Sequence, residues 1–119
     1  MSGMITKKYS VPKRAFDADI DETEVFLITG VAEHVYRIQS VIFAEQGGNT
    51  GTTIEMSIDA NAAGTDVFLF KSEALPPNQT FVWNEPIIMQ GTDKLRVKAT
   101  VSGADVDVWV SYIDEYYEN

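Results

Sequence analysis

Cysteine is absent from this 119-residue chain, and its absence removes disulfides, thiolate metal sites and cysteine nucleophiles together. Histidine is nearly absent too: the one present, His34, follows Val31, Ala32 and Glu33 with no nucleophile elbow beside it, so it reads as structural and not as a general base. Basic residues are outnumbered, 9 against 18 acidic, giving a net charge of -9 and a pI near 4.4. Such a body is repelled by phosphate backbones, and nucleic acid is not an expected partner. No stretch approaches the roughly 20 apolar residues of a membrane span, and the opening MSGMITKKYS lacks the apolar centre of a signal peptide. No membrane partner is expected, and the chain is expected to begin its function untrimmed. A sustained 3.6-residue period is missing as well, and the one helix candidate, SYIDEYYEN, reads as a tail.

What is present is a series of short extended segments. With 45% hydrophobic and 23% charged residues the chain has the composition of one folded domain. Strands are expected at TEVFLIT, HVYRIQSVIFAEQ, TTIEMSIDA, DVFLFK, QTFVWN and PIIMQ, separated by Gly47 to Gly51, Asn61 to Gly64, Pro76 to Asn78 and Gly91 to Asp93. Period-2 alternation is clear in Ile54, Met56 and Ile58, in Leu95, Val97, Ala99 and Val101, and in Val106, Val108, Val110 and Tyr112. Ser102 and Gly103 between the last two runs suggest a hairpin setting Thr100 opposite Asp105, Lys98 opposite Asp107 and Arg96 opposite Trp109. The fold class is all-β: an antiparallel β-sandwich, jelly-roll-like or Ig-like, with an extended N-terminal arm.

The expected division is an extended basic arm and acidic linker over residues 1–22, a β-sandwich over 23–114 and a tail over 115–119. Lys7, Lys8, Lys13 and Arg14 carry four of the nine basic charges and are followed by Asp17, Asp19, Asp21, Glu22 and Glu24. Pro12 keeps this segment extended, as an arm or an edge strand, and its basic side chains are candidates for contact with a partner. Val41, Ile42 and Phe43, and Val67, Phe68, Leu69 and Phe70, are apolar on both faces. Those two runs belong either to central strands or to an interface with a second subunit.

Catalytic and metal signatures are weak. Asp17, Asp19 and Asp21 have the spacing that opens an EF-hand, but Glu22 stands where glycine is needed and Ile28 where a bidentate glutamate is needed, which excludes that motif. A looser calcium site from Asp59, Asp66, Glu85 or Asp93 is a minor alternative to solvated loop charges, and no pair of acids is marked out for glycoside hydrolysis. Trp83, Trp109, Tyr112, Tyr116 and Tyr117 invite comparison with a carbohydrate platform, against which stands ordinary packing, in the core for Trp83 and across strands for Trp109. Asn78-Gln79-Thr80 matches the glycosylation triplet, which matters only in a secretory pathway that the sequence does not show.

The succession TEVFLITGVAEHVYRIQSVIFAE, TTIEMSIDA and FKSEALPPNQTFVWNEPIIMQGTDKLRVKATVSGADVDVWVSYID resembles small virion proteins of tailed bacteriophages, of the capsid-decoration or tail-associated β-sandwich type. The resemblance implies a non-enzymatic structural protein with no catalytic residues, cofactor or metal, most simply a capsid decoration (cement) subunit that stabilises the outer shell. It implies self-association, expected as a trimer, and contact with the major capsid protein or another virion protein. The chain would then be made in the bacterial host cytoplasm and reside in the virion, on the capsid surface in preference to the tail. The alternatives are a tail or head-tail component and a carbohydrate-binding module.

Overall fold

The computed structural model describes residues 7–100 and 105–118, and these residues build two antiparallel sheets. The strands are β1 (Lys7–Ile20), β2 (Val25–Thr29), β3 (Val35–Glu45), β4 (Thr53–Asp59), β5 (Asp66–Ala74), β6 (Thr80–Trp83), β7 (Ile87–Gln90), β8 (Lys94–Ala99) and β9 (Val106–Glu118). The first sheet has the order β1-β9-β3-β6, with β7 also pairing with β3, and the second β2-β8-β4-β5. The chain passes from one sheet to the other at almost every step, the double Greek key of a jelly roll. β6 and β7 are two halves of one strand: β6 pairs with Val41 to Ala44 and β7 with Val35 to Ile38. Between them lies Pro86, which has no N–H to continue a ladder.

Alternation decides which side chains meet between the sheets. Val41 and Phe43, Ile54 and Met56, Leu95, Val97 and Ala99, and Val106 and Val110 are each 0% exposed, and Val108 is 2% exposed. Each large aliphatic or aromatic side chain so buried contributes about 1.5–3 kcal/mol relative to exposure. One end of the sandwich is fastened by a close approach at Gly30. Its N–H donates to the Asp93 carbonyl at 2.9 Å, and a Cβ built there would lie 2.1 Å from the Gly91 carbonyl oxygen. Gly30→Ala is therefore expected to lower stability by about 1–3 kcal/mol, the usual cost of overpacking, read as a fall in the urea midpoint.

The expected strands lie where the alternation puts them, but two features differ from the sequence reading. The last two runs do not form a hairpin. β8 belongs to the second sheet, where Lys98 is opposite Glu55 and Arg96 opposite Ser57 and Phe26, whereas β9 lies in the first, where Asp107 is opposite Ala44 and Trp109 opposite Phe16 and Ile42. Both runs alternate because each has one face in the common core, and the two contribute from opposite sides. The Ser102-Gly103 turn itself lies outside the described residues.

The second difference concerns the ends of the chain. Within residues 1–22, Lys7 to Ile20 form the edge strand β1, paired along β9 from Lys7 opposite Glu118 to Ile20 opposite Val106. The segment read as a tail continues β9 to Glu118, so the sheet extends on both sides of the expected 23–114 body. Pro12 is tolerated because β1 has a neighbour on one side only.

Candidate functional site

The residues anticipated as an arm and as interface strands occupy different settings. In β1, Lys7, Lys8, Lys13 and Arg14 are all exposed, and Lys13 donates to Asp114 at 2.8 Å. In β3, Val41 and Phe43 belong to the core and Ile42 points outward. In β5, Val67 and Phe68 are exposed, whereas Leu69 and Phe70 pack against the core, Phe70 meeting Phe43 edge to face at 5.8 Å.

The outer face of the first sheet carries apolar side chains in rows that run across the strands. One row is Phe16, Trp109, Ile42 and Val82, register partners from β1, β9, β3 and β6. Two residue positions beyond a row of Arg14, Ser111 and Ser40 lies a second, of Pro12, Ile113, Arg37 and Ile88. Phe16, Val82 and Ile88 are at least half exposed, at 61%, 50% and 55%. The rings of Phe16 and Trp109 stack at 5.3 Å, with the Arg14 guanidinium 5.3 Å from the Trp109 ring. A hollow of about 240 Å³ opens beside them, lined in part by Ala18, Ile42, Ala44 and Asp107.

The outer face of the second sheet is built around a cation. Arg96, 6% exposed, donates through Nη1 to Glu55 and to Ser57 at 3.0 Å each, and pairs through Nε with Glu24. Burial acts to lower its pKa, but the hydrogen bonds it donates to Glu24 and Glu55 outweigh it and the pKa is raised. Phe26 and Phe68 flank this network, each ring met by a lysine at 4.9 Å, Lys94 and Lys71 respectively.

The two ends of the first sheet differ in charge chemistry. At one end Asp114, 2% exposed, accepts from Lys13 and shares a 2.7 Å hydrogen bond with His34 Nδ1. Burial pushes its pKa up, but Lys13 and His34 outweigh it and hold the carboxyl below its ordinary value. His34 also stacks on Tyr116 at 4.6 Å, so it orders a strand end. At the other end Asp19, Asp105 and Asp107 bring carboxylate oxygens within 4.8 Å of one another, the one group of possible metal ligands among the described residues. Of the acids considered for a loose calcium site, three are engaged elsewhere: Asp59 accepts from Gly64, Asp66 lies 3.8 Å from Arg96, and Asp93 accepts from Asn61 and Gln90, while Glu85 is exposed.

The Asp105 carboxyl is pushed up to about 6 by a hydrogen bond to Asp19, then by burial and the charges of Asp19, Asp107 and Glu45. A raised acid contributes stability below its unfolded pKa and loses it as pH rises through the folded value. Asp105→Asn is thus expected to raise the melting temperature at pH 7 and to leave it nearly unchanged at pH 4, by calorimetry. An equal effect at both pH values would show that charge is not the cause.

No family model matches the sequence, and no curated protein matches it either. Structural likeness is extensive. The chain is similar to a protein of Bacillus endospore appendages, described as disulfide-linked pili, with TM-score 0.56 and 11% identity over 96% of this chain and 92% of that one. It is equally similar to a chain of the acid-stable capsid of Helicobacter pylori bacteriophage KHP30, with TM-score 0.56 and 10% identity over 97% of this chain and 99% of that one. A chain of particles derived from infectious bursal disease virus gives TM-score 0.53 and 12% identity over 93% of this chain but only 31% of that one. At these identities the likeness establishes the fold.

Two parts of this site escape a reading of the sequence. The rows on the first sheet need pairing partners that lie up to about a hundred positions apart, such as Phe16 and Trp109. The Asp19, Asp105 and Asp107 group draws on both ends of the chain, and only its high acid content hinted at it. The aromatics proposed as a sugar platform are divided: Trp83 packs on Phe70, Tyr116 turns inward onto His34, and Trp109 and Tyr117 are exposed.

Proposed function

We propose that this chain is a non-enzymatic structural protein of a bacteriophage virion, a capsid decoration subunit that binds the outer shell and stabilises it. The observation that carries the reading is the end-to-end match to a phage capsid chain, 97% of one against 99% of the other, around a fold with two broad outer faces. In the bursal-disease-virus particle the likeness spans 31% of a larger chain. The disulfide linkage named for the Bacillus pili has no counterpart in a chain without cysteine, which favours attachment through surfaces.

Self-association is part of this reading, and so is contact with a major capsid protein or another virion protein. Lys7, Lys8 and Arg14 on the exposed edge strand are the proposed contacts to an acidic neighbour, with Lys13 committed to Asp114. Many modest contacts repeated over a shell stabilise it by mass action. Cryo-microscopy of intact particles tests the reading: the chain is expected at symmetric sites outside the shell, and finding it only in the tail, or not on the particle, would reject it. Loss of decoration in a variant with Lys7, Lys8 and Arg14 changed to glutamate, if the variant still associates with itself, would assign the contact to the edge strand.

A further inference from the structure

Charge is distributed unevenly along the outer face of the first sheet. Toward the Glu118 end of β9 lie Arg14, Arg37 and Lys8, of which Arg37 and Lys8 hold Glu115 between them at 2.6 and 3.6 Å. Three cations against one carboxylate leave that end positive. Toward the Val106 end lie Asp107 and Asp19, joined by a bond from the Asp19 N–H to the Asp107 carboxylate at 3.1 Å, with Asp105 beside them. The apolar row of Phe16, Trp109, Ile42 and Val82 lies between the two ends.

We propose that this face is a two-fold self-association surface, on which a second copy of the chain packs antiparallel so that the cationic end of each face covers the acidic end of the other and the apolar row of each packs on the row of Arg14, Ser111 and Ser40 of the other. The inference rests on the self-association part of the function proposed above and departs from the expected trimer, because an isologous contact pairs copies two at a time.

A two-fold axis lying across the strands near Val110 reverses direction along β9, places Asp107 of one copy over the row containing Arg37 of the other, and brings Trp109 toward the row of Arg14 and Ser111. The net charge of -9 opposes association in general, and this polarity supplies a local attraction that survives only in the antiparallel arrangement. The extent is adequate. Four strands about 4.8 Å apart and eight residues at about 3.3 Å make a plate of roughly 19 by 26 Å, which with side-chain relief approaches the ~800 Å² per partner of a standard interface. The second sheet is a poorer candidate, since Arg96 is already spent on its own carboxylates and the rings of Phe26 and Phe68 are covered by lysines.

The absence of cysteine allows a direct test. Packed sheet faces lie ~10 Å apart, so Ser111→Cys is expected to be joined to its twin by a short bismaleimide linker, and Lys71→Cys, on the second sheet, is not. The unmodified protein at micromolar concentration is expected to scatter light as twice 13.2 kDa. Trp109→Glu should weaken association at least tenfold with circular dichroism and melting retained, and Asp107→Arg should weaken it unless combined with Arg37→Asp, which restores it. A monomeric or trimeric mass, cross-linking through Lys71→Cys instead, or a charge exchange that fails to restore pairing would overturn the inference. A dimer through this face that does not decorate shells would reject the proposed function and leave the interface standing.

Discussion

Exchanging Arg96 for leucine is expected to lower stability by about 3–5 kcal/mol, the cost of removing one partner from a buried ion pair. For a domain of this size that corresponds to a fall of roughly 10–20 °C in melting temperature. The reason lies less in the lost attraction than in what is left behind. Glu55 is 5% exposed and Ser57 is fully buried, and both direct polar atoms at the guanidinium. Without it the Glu55 carboxylate, nearly out of reach of water, loses the one ion pair it makes among the described residues. Replacing Arg96 and Glu55 together with methionine should recover most of the loss, because apolar residues of similar volume satisfy such a site without a desolvation penalty. A single variant that melts within a degree or two of the parent would mean that water replaces Arg96 there.

Phe43→Ala is expected to have a comparable effect, about 3–5 kcal/mol, through the cavity left among Phe70, Phe81 and the strands above it. Its neighbour provides the contrast. Ile42 precedes it by one position and lies on the opposite face, in the outer row with Trp109 and Val82. Ile42→Asp should leave the urea midpoint within a few tenths of a molar while altering self-association. Chemical denaturation and light scattering on the same two variants therefore separate core from interface within a single strand, and equal loss of folding in both would contradict the assignment of faces.

That pair of residues also shows how much of this protein is legible in its sequence. Runs apolar on both faces were read as central strands or as an interface with a second subunit; β3 is central in its sheet, between β9 and β6, with Val41 and Phe43 facing the other sheet and Ile42 facing out. Strand positions and breaks followed from alternation and from Gly, Pro, Asn and Asp, since both depend on near neighbours. Pairing did not. Lys98 and Asp107 look like hairpin partners because their charges and the intervening Ser-Gly agree, yet alternation records only that a strand has one buried face and not which sheet it enters. β1 was obscured by Lys13 and Asp17 at inward positions. These are tolerated near the open ends of the sandwich, where Lys13 meets Asp114, and the same buried Asp114 made SYIDEYYEN look unlike a strand.

The pairing of β1 with β9 has a mechanical consequence. Lys7 lies opposite Glu118, so the chain enters and leaves the fold at one pole, on adjacent antiparallel strands. Tension applied through the two ends would load the hydrogen bonds of this ladder one at a time, as a zipper is opened, rather than all at once in shear. A subunit threaded by its ends into a fibre would yield at low force. Load that enters through the broad faces of the sheets is instead shared among many strands, the way a tile in a curved wall resists pressure from within.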